Sequence, residues 1–172
     1  AARIIAVLAL ISLGLIFIVL YSRYRSAILA ALVIANVPLA LIGSVIGLWL
    51  AGQTLSIATL IGFITLAGIA TRNGILKLSH YANLVRFEGE TFGRQLVIRG
   101  SLERLTPVLM TALVAAFALA PLLVEAEAPG TEILHPVAVV IFSGLISSTL
   151  LDAFVTPALF LAFGEKPLAG LL

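Results

Sequence analysis

Long uncharged runs alternate with short polar breaks along this chain, and five of the runs are long enough to cross a bilayer. A crossing needs about 20 apolar residues at 1.5 Å rise per residue. The first run, about 4–21, contains no charged side chain, and Ser22–Arg23–Tyr24–Arg25 after it leaves room only for a tight turn. The second, 26–51, is interrupted by Asn36 and Pro38. Pro38 removes one helical hydrogen bond, which predicts a kink compensated by packed neighbours. Gly43 and Gly47 form a small-xxx-small pair suited to close helix approach, and Trp49 sits where an interfacial anchor belongs. The uncharged link Gly52–Gln53–Thr54 leads to the third run, 55–80. A polar connector, 81–106, carries Arg86, Arg94, Arg99 and Arg104. Phe87, Phe92, Leu96 and Val97 within it suit an amphipathic helix lying at the interface. The fourth run, 107–124, has Pro107 at its first turn, where proline is tolerated. An acidic turn with Glu125, Glu127 and Glu132 follows, then the fifth run, 136–163, with Asp152 and Pro157. Gly164–Glu165–Lys166–Pro167 is expected to end the structured part. The pattern predicts an all-α integral membrane protein, a bundle of five transmembrane helices.

Composition agrees with that reading. Of 172 residues, 62% are hydrophobic and 10% charged, against about 25% charged in a soluble domain. The absence of cysteine excludes a disulfide framework and a thiolate metal site. No basic stripe with interleaved aromatics points to nucleic acid. No nucleophile–base pair, phosphate loop or cofactor motif points to an enzyme, and no cofactor is expected. The first run lacks the cationic start and cleavage site of a signal peptide. Residue 1 is alanine, and the chain is expected to be a piece of something longer.

Five crossings fix an alternating topology. Arg23, Arg25, Lys77 (at the membrane edge), Arg86, Arg94, Arg99, Arg104 and Lys166 fall on one side, while the 52–54 and 125–135 links hold no lysine or arginine. The positive-inside rule makes the basic side cytoplasmic. The N-terminus is then outside and the C-terminus inside.

The third run, GFITLAGIATRNGILKLSHY from Gly62 to Tyr81, places Arg72 and Asn73 within apolar sequence. A guanidinium at mid-bilayer costs roughly 2.5–3.5 kcal/mol on the mildest scale, so it needs a partner or a wet cavity. Counting from the outer helix ends puts Arg72 and Asp152 about 25–27 Å down, at equal depth. Thr111 comes near that level from the inside, and Arg104 marks the cytoplasmic mouth of the fourth run. Arg72, Asn73, Thr111 and Asp152 are thus expected to form one polar cluster. Two plainer readings stand beside it: Asp152 neutralises Arg72 only to lock helix packing, or Arg72 snorkels to the headgroups. Arginine stays protonated, so a relay here needs a carboxylate carrier, with Arg72 as fixed counter-charge. Asn36, Thr59 and Thr65 read as interhelical hydrogen-bonding residues, and His80 and His135 as interfacial or solvated. The Glu125–His135 stretch has no fixed metal-ligand spacing.

Three segments carry a resemblance: GFITLAGIATRNGILKLSHY, ERLTPVLMTALVAAFALAPLL and FSGLISSTLLDAFVTPALF. In this order they resemble the C-terminal membrane segment of a resistance–nodulation–division (RND) efflux permease, most closely its heavy-metal efflux branch. The resemblance implies helices eight to twelve of a twelve-helix protomer in two pseudo-symmetric halves. It implies a multi-pass inner-membrane homotrimer in membrane lipid, working with a periplasmic adaptor and an outer-membrane channel and exchanging protons for a metal cation substrate. It further implies that Arg72 occupies the charged helix-ten position facing acidic residues of helix four, with Asn73 beside it. Arg104 and Thr111 match the basic residue and threonine of the relay on helix eleven, and Asp152 is a further candidate member. Drug exporters usually carry lysine at the Arg72 position and some metal exporters an acid. Export of amphiphilic drugs, or a structural membrane module without transport of its own, are the alternative readings.

Overall fold

The computed structural model describes residues 1–170. Its elements are α1 (Ala2–Tyr24), α2 (Ala27–Ile34), α3 (Asn36–Leu50), α4 (Ile57–Glu88), α5 (Arg94–Val124), α6 (Thr131–Phe163) and α7 (Glu165–Ala169). Among the described residues, five spans have the length and apolarity to cross a membrane: α1, α2 with α3, α4, α5 and α6.

The boundaries follow from local chemistry. Arg25 takes a left-handed φ of 48° and returns its N–H to the Tyr21 carbonyl, closing α1. The Ser26 hydroxyl accepts from Leu29 N and starts α2. Pro38 has no N–H for the Ile34 carbonyl, and its ring crowds that group. The helix is accordingly interrupted at Ala35, one turn ahead of the proline. Ser56 and Thr59 form a reciprocal capping box at the start of α4, at 2.8 and 3.2 Å. Thr59 is therefore a cap rather than an interhelical residue, and Thr65 bonds the Ile61 carbonyl of its own helix. Gly89, at φ 68°, ends α4.

The stretch read as a polar connector is mostly helix. α4 continues to Glu88 and α5 begins at Arg94, which leaves Pro107 well inside α5 rather than at its first turn. Leu96 and Val97 are buried and Phe92 packs on them, joined to Tyr24, Tyr81, Leu84, Phe160 and Leu168 in one core. They do not lie on an interface, although Phe87 is exposed. Leu168 also shows that the chain stays ordered past Gly164, with α7 plugging this end of the bundle.

Helix α6 is the hub, packed against α3, α4 and α5. Its seam with α3 is built from small residues. A Cβ on Gly43 would stand 2.1 Å from Ser147 Cβ, and one on Gly144 2.3 Å from Ser44 Oγ. That proximity admits direct interhelical bonds: Ser147 Oγ donates to Leu39 O at 2.7 Å and Ser44 Oγ to Val140 O at 3.0 Å. With no hydrophobic drive between helices in lipid, such packing and bonding hold them together. The outer helices differ. The most apolar stretches of α1 and α5 are 6% and 0% buried, against 44% for α2–α3 and 39% for α6.

Candidate functional site

The buried residues of α4 include Leu66, Ala70, Gly74, Lys77, Tyr81 and Leu84, spaced three and four apart. That spacing makes one helical stripe, and it carries a lysine into the bundle. Gly74 makes room: a Cβ there would stand 2.4 Å from Asn36 Nδ2. Lys77 Nζ donates to Asp152 Oδ2 at 2.7 Å and to the Asp152 carbonyl at 2.9 Å. The two residues are 4% and 3% exposed. A buried pair offsets its desolvation only with further hydrogen bonds, and Thr156 and Asn36 supply them.

The Thr156 hydroxyl reaches both Asp152 Oδ1 and, at 2.7 Å, Asn36 Oδ1. One hydroxyl proton cannot serve two oxygens. Turning the Asn36 amide over, an assignment that rests on the hydrogen-bond network, resolves this. Nδ2, otherwise buried without a partner, then donates to Thr156 Oγ1, and Thr156 donates to ionised Asp152. The chain Asn36–Thr156–Asp152–Lys77 thus links the α2–α3 break to α6 and α4.

This arrangement corrects the expected cluster. Asp152 pairs with Lys77, not with Arg72, and Lys77 is buried inside the bundle. Arg72 is exposed and Asn73 half-buried, on another face of α4. Arg72, Asn73, Arg104 and Thr111 do come together. With Lys77 they line a cavity of about 200 Å³ between α4 and α5. The Thr111 hydroxyl donates to Pro107 O at 2.9 Å, using the carbonyl of its own helix. The Nε of Arg104 is buried without a partner. A second cavity, of about 250 Å³, is lined by Lys77, Asp152, Arg104, Ser101 and Thr149. Lys77 and Arg104 belong to the walls of both.

Charge at the basic end of the bundle is more elaborate than solvation alone. Arg99 bridges Glu88, Glu90 and Glu103 across the α4–α5 turn, and His80 Nε2 meets Glu103 Oε2 at 2.7 Å. His135 Nδ1 lies 2.8 Å from the Leu122 carbonyl, joining α6 to α5. Neither histidine is simply solvated. Among the described residues, no three His, Cys, Asp or Glu side chains cluster as a metal site.

Comparison with known proteins places these features. A family model described as the AcrB/AcrD/AcrF family matches residues 1–164. The chain is 38% identical over 150 residues to the cobalt-zinc-cadmium resistance protein CzcA of Cupriavidus metallidurans, covering 87% of this chain and 14% of that protein. It is 40% identical over 159 residues to the nickel and cobalt resistance protein CnrA of the same species, covering 92% of this chain and 14% of that protein. A crystal structure of a heavy metal efflux pump aligns with a TM-score of 0.79 at 36% identity, over 92% of this chain and 15% of that one. The chain therefore spans only 14–15% of the length of these proteins.

Proposed function

This chain belongs to the AcrB/AcrD/AcrF family, and we propose that it forms the last five membrane helices of a proton-driven exporter of metal cations. The cavity lined by Arg72, Asn73, Arg104 and Thr111 carries this reading. It sets two guanidiniums, one with an unpaired buried Nε, against a surface of α5 that is otherwise apolar and open. Arginine cannot release its proton, so Arg72 and Arg104 act as fixed positive charges on one side of a proton relay. They would hold carboxylates, supplied from outside this chain, in the ionised form until a proton arrives. Thr111 lines the passage between them.

The metal assignment rests on the names of the relatives. In the proposed assembly the segment sits in the inner membrane with its N-terminus periplasmic and its C-terminus cytoplasmic. The complete protein is a homotrimer joined to a periplasmic adaptor and an outer-membrane channel. Everted vesicles containing the complete protein test the proposal. Energising them should drive uptake of Zn²⁺, Co²⁺ or Cd²⁺, and a protonophore should abolish it. Uptake of an amphiphilic dye with no metal uptake would reject the metal reading.

A further inference from the structure

Lys77 lies in the wall common to the two cavities, the one lined by Arg72 and Thr111 and the one lined by Asp152. Of the three cations that line these cavities, Lys77, Arg72 and Arg104, it is also the one that can give up a proton, because arginine stays charged while buried lysines serve as acid–base groups. Its partner is already committed. With the Asn36 amide turned over, ionised Asp152 accepts from Lys77 on one oxygen and from Thr156 on the other. The flip pairs the Asn36 amide nitrogen with Thr156 and leaves the amide oxygen at the position that has no partner.

From this placement we infer that Lys77 is the proton-exchanging group of the segment, with Asp152 as its fixed counter-charge. The inference rests on the proton-driven reading above. The step is a transfer from the Lys77 ammonium to water in the cavity beside Arg72: an N–H bond breaks, the amine keeps the electron pair, and the water carries the proton away. Asp152 keeps its charge throughout, and Arg104, which lines the same cavity and has an unpartnered Nε, is the cation left to offset it. Each cavity, at about 200 and 250 Å³, has room for several waters at about 30 Å³ each. Among the described residues, the charged and titratable groups around Lys77 are few. They are Asp152 from α6, Arg104 from α5, and Arg72 and Tyr81 from α4, the last bonded through its hydroxyl to Ser101 on the cavity wall. The α2–α3 break contributes only Asn36, which is uncharged. Thr156 and Asn36 are positioning residues that aim the Asp152 carboxylate at Lys77.

The complete protein in proteoliposomes, with a pH-sensitive dye inside and Zn²⁺ as probe, provides the test. Lys77→Arg keeps the charge and removes the exchangeable proton. It should cut proton-driven zinc transport by about tenfold or more. Lys77→Arg combined with Arg72→Lys returns a lysine to the same cavity and should restore a substantial part. Undiminished transport in Lys77→Arg overturns the inference, and so does a folded double variant that restores nothing. Should Lys77→Arg fail to fold, Lys77→Met with Asp152→Asn removes both charges together, and transport that persists in it also overturns the inference. Zinc transport by the unaltered protein that ignores the pH gradient would instead reject the proton-driven reading itself.

Discussion

The seam between α3 and α6 and the notch between α4, α5 and α6 share a helix but are built on opposite principles. In the seam, glycines and serines bring two backbones together, and the hydroxyls of Ser44, Ser143 and Ser147 each find a carbonyl. In the notch, long cationic side chains hold helices apart around two cavities. Polar groups in the seam are small and neutral, so burial costs them little once bonded. Polar groups in the notch are charged and expensive in a membrane, and the proposal above assigns their cost to function rather than to adhesion. Substitutions should separate the two: seam variants should lose assembly, variants of the notch arginines should lose coupling, and the Lys77–Asp152 pair, which joins α4 to α6 as well as lining the notch, should affect both.

The largest effect belongs to the seam. Gly144→Leu forces a side chain into space held by Leu66 Cδ2, Ser44 Oγ and the Ala40 carbonyl, the last 3.1 Å from the new Cβ. Overpacking of this kind costs about 1–3 kcal/mol and sometimes more. Here the Ala40 carbonyl itself is in the way of a side chain three carbons longer than the Cβ, so the cost should exceed that range and prevent folding. Thermal unfolding in detergent should show a large fall in Tm or no folded protein. A wild-type Tm would show that the seam is looser than its contacts imply.

Asp152→Asn comes next, because it leaves the Lys77 ammonium buried and unpaired. Removing one partner of a buried pair costs about 3–5 kcal/mol. Adding Lys77→Met should recover much of that loss, since the orphaned charge goes with it. Denaturation of the two single variants and the double variant measures the coupling. Simple additivity would mean that the pair is wetter than its burial indicates. The smallest effect is expected from Arg99→Ala. Its three glutamate partners lie at the exposed end of the bundle, where ion pairs are screened and contribute little. Its Tm should match wild type, more closely still in high salt.

The contrast also explains what the amino-acid pattern revealed. Five apolar runs predict the five long helices, because length and hydropathy suffice for a membrane span. The small-residue spacing of Gly43 and Gly47 foretells the close seam. The partner of Asp152 was harder to see. Counting residues along α4 fixes depth but not azimuth, and Arg72 lies about 140° around the helix from Lys77 at 100° per residue. The information was present in the stripe Ala70–Gly74–Lys77–Tyr81–Leu84, whose three-and-four spacing puts Lys77 on the core face and leaves Arg72 off it. Lys77 escaped notice because a lysine near the end of an apolar run reads as a headgroup anchor. The helical continuation through 81–106 was hidden for a related reason: its polar residues satisfy one another in the Arg99 clasp. Arg104 and Thr111, seven residues apart on α5, face one cavity as their shared helical face requires.

The notch account is tested most directly by Arg72→Ala in the complete protein, with metal uptake followed in energised everted vesicles and trimer formation checked by crosslinking. Arg72 is exposed on the isolated segment and bonds nothing that holds the bundle together. The account predicts intact trimers and a loss of proton-driven uptake of about tenfold or more, the equivalent of roughly 1.4 kcal/mol in the coupled step. Undiminished uptake, or trimers that no longer form, would contradict it and return Arg72 to a packing role.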